Sequence, residues 1–227
     1  MKHSGRAFQA ALKIIFWTLV ALITFIVLGF IALLILIPAY AFSFMLIGVW
    51  VVFSLFTLYF FRDPTPRVPT GPGLIVSPAH GKVDIIDQVD EAQFMGGRCQ
   101  RISIFLSVFN VHVQNAPVSG KADYYRYNTG QFLSALKTES AEQNENLLLG
   151  FTASEHGDKI GLRLIAGVIA RRIVPYVKLG DEVMRGERIS LIQFGSRTDL
   201  YLPLTAKITI KLEDKVVGGQ TVMATFE

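Results

Sequence analysis

From Ile14 to Phe61 the chain runs for 48 residues without an Asp, Glu, Lys, Arg or His. One membrane-crossing helix needs about 20 apolar residues, so a run of this length predicts two. Pro38, within LLILIPAYAF, has no N–H to donate and does not continue a helix. It places a tight turn between one span from Ile14 to Leu36 and a second from Ala39 to Phe60. A cleaved signal segment would carry a far shorter apolar region followed by small residues. The pattern then changes. Arg62 to Gly73, RDPTPRVPTGPG, holds too much proline for a helix or a central strand and reads as a linker. Beyond it come short runs, GLIVS, GKVDIIDQV, CQRISIFLSVF, VHVQ, GKADYYRY and KIGLRLIAGVIA. Each mixes alternation with β-branched and aromatic residues between Gly, Pro and Asn.

These patterns divide the chain into a basic tail (1–13), two transmembrane helices (14–61), a proline-rich linker (62–73) and a domain (74–227). The polar stretch from Gln131 to Leu149 reads as a helix or a long loop. The last third has glycine-marked turns spaced as in a compact barrel or sandwich. The expected fold is mainly β (α+β), a β-barrel or sandwich-like domain with one or two helices, preceded by an N-terminal transmembrane hairpin.

Composition agrees, since 51% of the residues are hydrophobic, more than a soluble domain carries. Lys2, Arg6 and Lys13 precede the apolar run, Arg62 and Arg67 come after it, and the positive-inside rule puts both ends in the cytoplasm. The domain is therefore expected on the cytoplasmic face of the cell membrane. Three of the 22 basic residues and none of the 18 acidic ones precede the linker. The remainder of the chain is nearly balanced in charge, so the basic pI gives no ground for nucleic-acid binding; the tail suits anionic lipid headgroups. Cys99 is the single cysteine, which excludes an intrachain disulfide and accords with a reducing compartment.

Few familiar chemistries fit. His80, His112, His156 and Cys99 lack the short paired spacing of a zinc site, and no metal is expected. Ser196 lacks the G-x-S-x-G elbow of an α/β-hydrolase, because Thr198 stands where the second glycine belongs. No glycine-rich phosphate loop is present. There remains the Gly195–Ser196 bond in LIQFGSRTDLYLP, between two strand-like runs. It is either a turn or a site of self-cleavage. In the second case the Ser196 hydroxyl attacks the Gly195 carbonyl, the amide becomes an ester, and β-elimination leaves a pyruvoyl group at a new N-terminus. Such a group is an electron sink for decarboxylating a primary amine that bears a carboxylate.

Several blocks, read together, resemble one family. YFFRDPTPRVP, VSPAHGKV, SIFLSVFNVHVQNAPVSGK, NENLLLGF, LIAGVIARRIV and VKLGDEVMRGERISLIQFGSRTDLYLP, in this order and spacing, are similar to the short, archaeal-type phosphatidylserine decarboxylases, over roughly Tyr59 to Pro203. The resemblance implies a self-generated pyruvoyl group and cleavage between Gly195 and Ser196 into a β chain (1–195) and an α chain (196–227). Those 32 residues are too few to hold a core alone, so the chains are expected to stay together. It implies that His112, in FNVHV, transfers protons during processing or turnover. It also exposes a departure, because the family reads SPADGK where this chain has SPAHGK, putting His80 where an aspartate belongs. The implied substrate is a membrane phospholipid, phosphatidylserine, converted to phosphatidylethanolamine and carbon dioxide. Arg62, Arg67, Arg171 and Arg172 are candidates for its phosphate, and a homo-oligomer is left open.

Two rival readings remain. VKLGDEVMRGERI also resembles the hammerhead strands of lipoyl-type domains, which would suit a membrane-anchored adaptor, but FGSRT offers no lysine for modification and no heptad pattern runs beyond residue 62. A homologue that binds aminophospholipid without maturing is the other, and His80 is its sole support.

Overall fold

The structure is a computed structural model that describes residues 5–33, 39–130, 144–167, 172–193 and 196–226. Two helices, α1 (Arg6–Leu33) and α2 (Ala39–Phe60), form one compact unit over Gly5–Asp63. Both are long and apolar enough to cross a membrane. Helix α2 begins where Pro38 requires, while the turn itself lies outside the described residues. Helix α1 starts earlier than the expected span, because Ala7, Phe8, Gln9, Ala10, Ala11 and Leu12 favour helix back to Gly5, whose φ of 82° closes the N-terminal end. The indole of Trp50 donates to Thr18 Oγ1 across the pair at 3.1 Å. A Cβ on Gly29 would lie 3.1 Å from Ser43 Oγ. Small residues and interhelical hydrogen bonds of this kind hold helices together in lipid, where apolar burial gives no drive.

From Pro64 onward the chain forms a second compact unit. Its strands are β1 (Leu74–Val76), β2 (Gly81–Glu91), β3 (Gly97–Leu106), β4 (Val113–Asn115), β5 (Gly120–Asn128), β6 (Asn146–Ala153) and β7 (Lys159–Ala166). They continue as β8 (Arg172–Pro175), β9 (Glu182–Val183), β10 (Arg188–Gln193), β11 (Ser196–Leu202), β12 (Lys207–Ile208), β13 (Lys215–Val216) and β14 (Val222–Thr225). A curled sheet of eight runs β13-β2-β3-β11-β7-β6-β5-β9, antiparallel throughout. Two smaller sheets, β4-β10-β8 and β1-β14-β12, complete the unit. The mainly-β expectation holds. Alternation places Ile102, Ile104 and Leu106 of β3, Leu162 and Leu164 of β7, and Leu200 of β11 in one core, which Leu147, Leu149 and Phe151 of β6 extend.

One expectation fails in part. Asn146 to Leu149, taken with the polar stretch from Gln131, are strand β6 and not helix or loop. Six consecutive residues, Asn146 to Phe151, are buried, so the strand is covered on both faces and shows no alternation to read. Residues 131–143 lie outside the described residues, and among the described residues of this unit there is no helix.

The end of the proline-rich segment is fastened to the sheet unit. The Arg185 guanidinium donates to the carbonyl oxygens of Leu74, Pro69 and Gly71 at 3.0 to 3.1 Å, which satisfies acceptors that proline-rich backbone cannot pair within itself.

Gly81 opens β2 where that strand crosses β3 closely, and a Cβ there would stand 2.3 Å from the Phe105 carbonyl oxygen. Backbone cannot step aside as a side-chain tip can. Gly81→Ala is therefore expected to cost about 2 kcal/mol and lower the midpoint of near-UV thermal unfolding by roughly 4–8 °C; an unchanged midpoint would show that β2 and β3 can separate freely here.

Candidate active site

The seven residues of β11 are all buried. The strand lies between β3 and β7, with Ser196 opposite Leu106 on one side and Ala166 on the other. Directly opposed residues share a face of the sheet, so the Ser196 side chain points the same way as Leu106 and Ala166, toward the apolar core. It is completely buried, and among the described residues its Oγ has no hydrogen-bond partner. A hydroxyl so placed costs about 1–3 kcal/mol. Phe194 and Gly195 lie outside the described residues, so the expected cleavage bond is visible from its Ser196 side alone.

His112 is also fully buried. It ends the connection from β3 to β4, and its backbone carbonyl accepts the Ile192 N–H at 3.1 Å and the Gln114 side-chain amide at 2.8 Å. Gln114 accepts in turn from Ser190 Oγ at 2.8 Å. The backbone of His112 is thus tied to β10, the strand that leads into Gly195. Its Nδ1 lies 2.9 Å from the Asn110 carbonyl oxygen. A carbonyl only accepts, so Nδ1 carries the proton and, in the neutral ring, Nε2 holds the lone pair. Asn110 is itself held, since its side-chain oxygen accepts from both the N–H and the Oγ of Ser107 at 2.9 and 2.8 Å.

His80 is half-buried and immediately precedes β2. Lys82 stands opposite Phe105, and Leu106 stands opposite Ser196, so His80 belongs to the same end of the sheet, two strands from the serine and about 10 Å away at normal strand spacing. Its ring lies beside Gly218, where a Cβ would be 2.9 Å from His80 Cδ2 and 2.8 Å from Asn115 Oδ1. The fold therefore brings Ser196, His112 and His80 to one end of the sheet unit. Arg172 reaches that end as well, exposed and opposite Gln193. Arg171 lies outside the described residues, and Arg62 bonds the Tyr59 carbonyl oxygen at 2.7 Å.

Behind Ser196, on the other face of the sheet, sits a charged cluster that sequence reasoning missed. Arg197 Nη2 is 2.6 Å from Asp84 Oδ2, and Arg197 Nε is 3.6 Å from Asp199 Oδ1. Burial pushes the Asp199 carboxyl above the usual carboxylate range, while Arg197, Arg101 and Arg163 oppose that shift. The same face carries a cleft of about 680 Å³ lined by Arg101, Arg126, Arg163 and Tyr201. Its charges largely cancel, Arg101 against Asp87 at 2.7 Å and Arg163 against Glu91 at 3.6 Å. Ser196 points away from this cleft. Nothing in SRTD announces such a pair, because Asp84 lies far off in sequence and only the sheet brings it near. Among the described residues, no group of His, Cys, Asp and Glu is arranged to hold a metal.

A buried serine thus sits between two strands, with a histidine tied through its backbone to the preceding strand. The comparisons with known proteins define the class of protein. The sequence profile of phosphatidylserine decarboxylase matches residues 53–224. The phosphatidylserine decarboxylase proenzyme of Desulfotalea psychrophila is 43% identical over 196 residues, covering 86% of this chain and 91% of that one. The proenzymes of Symbiobacterium thermophilum and Syntrophus aciditrophicus are 43% and 44% identical, over 75% and 76% of this chain and 79% and 81% of theirs. The chain belongs to the phosphatidylserine decarboxylase family.

Arg197 is 5% and Asp84 24% exposed at the side chain, so their pairing is only lightly screened. Arg197→Met and Asp84→Asn are each expected to destabilise the sheet unit by about 2 kcal/mol, and the double variant by clearly less than the sum. Denaturant unfolding of the three variants checks this, and strict additivity would mean that the two side chains do not depend on one another.

Proposed function

We propose that this protein is a membrane-bound, self-processing decarboxylase that converts phosphatidylserine to phosphatidylethanolamine and carbon dioxide, using a pyruvoyl group made from Ser196. The observation that carries the reading is the buried Ser196 hydroxyl, without a hydrogen-bond partner among the described residues, at the head of a doubly paired strand in a chain of this family.

In processing, Ser196 Oγ attacks the Gly195 carbonyl carbon, and the peptide nitrogen leaves that carbon to give an ester. His112 Nε2 takes the hydroxyl proton; the Asn110 carbonyl holds the ring so that this nitrogen keeps its lone pair. Loss of the Ser196 Cα proton then expels Gly195 as a carboxylate together with the serine oxygen. Water replaces the nitrogen, which departs as ammonia, and residue 196 is left with a keto carbon and a methyl group. The site fits that product, since the methyl replaces an unsatisfied hydroxyl between Leu106 and Ala166, both fully buried and apolar.

Once formed, the group supplies an electron sink next to the substrate amine. The protein's own residues do the rest. Leu106 and Ala166 exclude water from the reacting carbon, and His112 delivers the proton that replaces carbon dioxide. The β chain (1–195) and α chain (196–227) stay joined because β11, β13 and β14 of the α chain pair with β3, β7, β2 and β1 of the β chain. The Asn110 carbonyl gives the His112 ring an orienting partner of its own, which supports maturation despite His80. The two apolar helices fit a membrane enzyme, and the basic N-terminal residues support a cytoplasmic face.

Intact mass spectrometry of the full-length protein tests the reading. The wild-type chain is expected to split into two fragments, the smaller beginning with a pyruvoyl in place of Ser196. Ser196→Ala is expected to remain one chain and to release no carbon dioxide from phosphatidylserine, a loss of at least about a thousandfold. His112→Ala is expected to stay uncut or to be inactive. Normal activity in the Ser196→Ala chain removes the mechanism altogether.

A further inference from the structure

Ser196 and His112 have no exposed surface, so a phospholipid that stays in its bilayer reaches them only across whatever lies at that end of the sheet. Among the described residues, Phe109 and Arg172 are exposed there. Phe109 is 64% exposed and sits in the turn that Ser107 and Asn110 close, where the Asn110 N–H donates to the Ser107 carbonyl at 2.9 Å. This turn joins Leu106, the cross-strand neighbour of Ser196, to His112. Arg172 is exposed on the other side of β10, opposite Gln193. An aromatic ring and a guanidinium thus flank the strand that leads into the cleavage bond. Val217, next to the β13 residue that pairs with Gly81, adds a partly exposed apolar side chain at the same end.

We propose that this end of the sheet is a membrane-docking surface, with Phe109 set among the lipids and Arg172 against their phosphates. The inference rests on the decarboxylase reading for its lipid substrate. The pairing has a physical logic. An aromatic side chain settles at the boundary between headgroups and acyl chains. A cation next to an anionic leaflet contributes roughly 1 kcal/mol. Among the other exposed apolar side chains of the described sheet unit, Leu212 stands beside Lys211 but is followed by the exposed acids Glu213 and Asp214. Leu179 and Met184 stand among the exposed acids Asp181 and Glu182, which an anionic surface repels. Leu204 lies beyond the opposite end of β11.

The docking is read directly by fluorescence of the full chain in phosphatidylcholine vesicles containing phosphatidylserine. Trp17 and Trp50 are first replaced by phenylalanine, and a single tryptophan is introduced as Phe109→Trp or, for comparison, Leu204→Trp. The expected result is blue-shifted emission for the first, quenched at least threefold more by brominated acyl chains than for the second. Equal emission and quenching at the two positions would overturn the proposal. Because this measurement needs no turnover, it stands apart from the decarboxylase reading, which fails if the wild-type chain neither cleaves nor releases carbon dioxide.

Kinetics supply the second arm. In chains that cleave normally by mass, Phe109→Ser and Arg172→Glu are expected to raise the KM for phosphatidylserine, as its surface fraction, at least fivefold with kcat held within twofold. Phe109→Trp restores the wild-type KM. A fall in kcat with KM unmoved would place these residues in the chemistry, and no change in either would remove them from the path of the lipid; both outcomes count against docking.

Discussion

The pairing of β11 on both edges is the constraint on which the other arrangements depend. Ser196 meets Leu106 and Ala166 because the strand is held in register against two neighbours at once. A shift of one residue would turn every side chain to the other face. Arg197 and Asp199 would then enter the apolar core, while Ser196 and Leu200 moved among the charges. The ion pairs of Arg197 with Asp84 and Asp199 therefore act as a register lock, whatever their net contribution to stability. The position of a single oxygen atom in the core is set by charges on the opposite face.

The second arrangement is the attachment of His112. A histidine in a connection between strands has little reason to hold one orientation, yet this one is fixed twice. Its ring is set by the Asn110 carbonyl, and its backbone is tied to Ile192 and Gln114. Gln114 and Ser190 are buried and satisfy one another, as buried polar groups must. The β4-β10-β8 sheet is small and carries little of the core, but it brings the imidazole to the strand that precedes Ser196.

Much of this architecture can be read from the chain, because its causes are local. Forty-eight residues without charge and a proline near their middle declare a helical pair. The alternation in CQRISIFL and KIGLRLIA declares strands with one face inward. The family blocks point to Ser196, His112 and His80 by motif. The features that stay hidden depend on distant partners or on cover from both sides. NLLLGF has no alternation because β6 is buried on both faces. Gln114 and Ser190 look like ordinary strand residues until the β4–β10 pairing joins them, and Asn110 like a loop residue until its carbonyl meets the His112 ring. Arg185 reads as one more surface cation, although it fastens Pro69, Gly71 and Leu74.

The place of β11 in the sheet has a consequence for how the protein is born. Both of its neighbours, β3 and β7, are synthesised before it, and in the sheet they meet only through β11. The eight-stranded sheet closes only when the last part of the chain emerges, and that part carries the serine. In a domain folding N-terminal first, β10, which ties the His112 backbone, and β11, which carries Ser196, would be placed almost together. On the self-processing mechanism proposed above, the cut at Ser196 waits for the strand that carries the serine, so a cleaved chain would report that translation had reached the final strands.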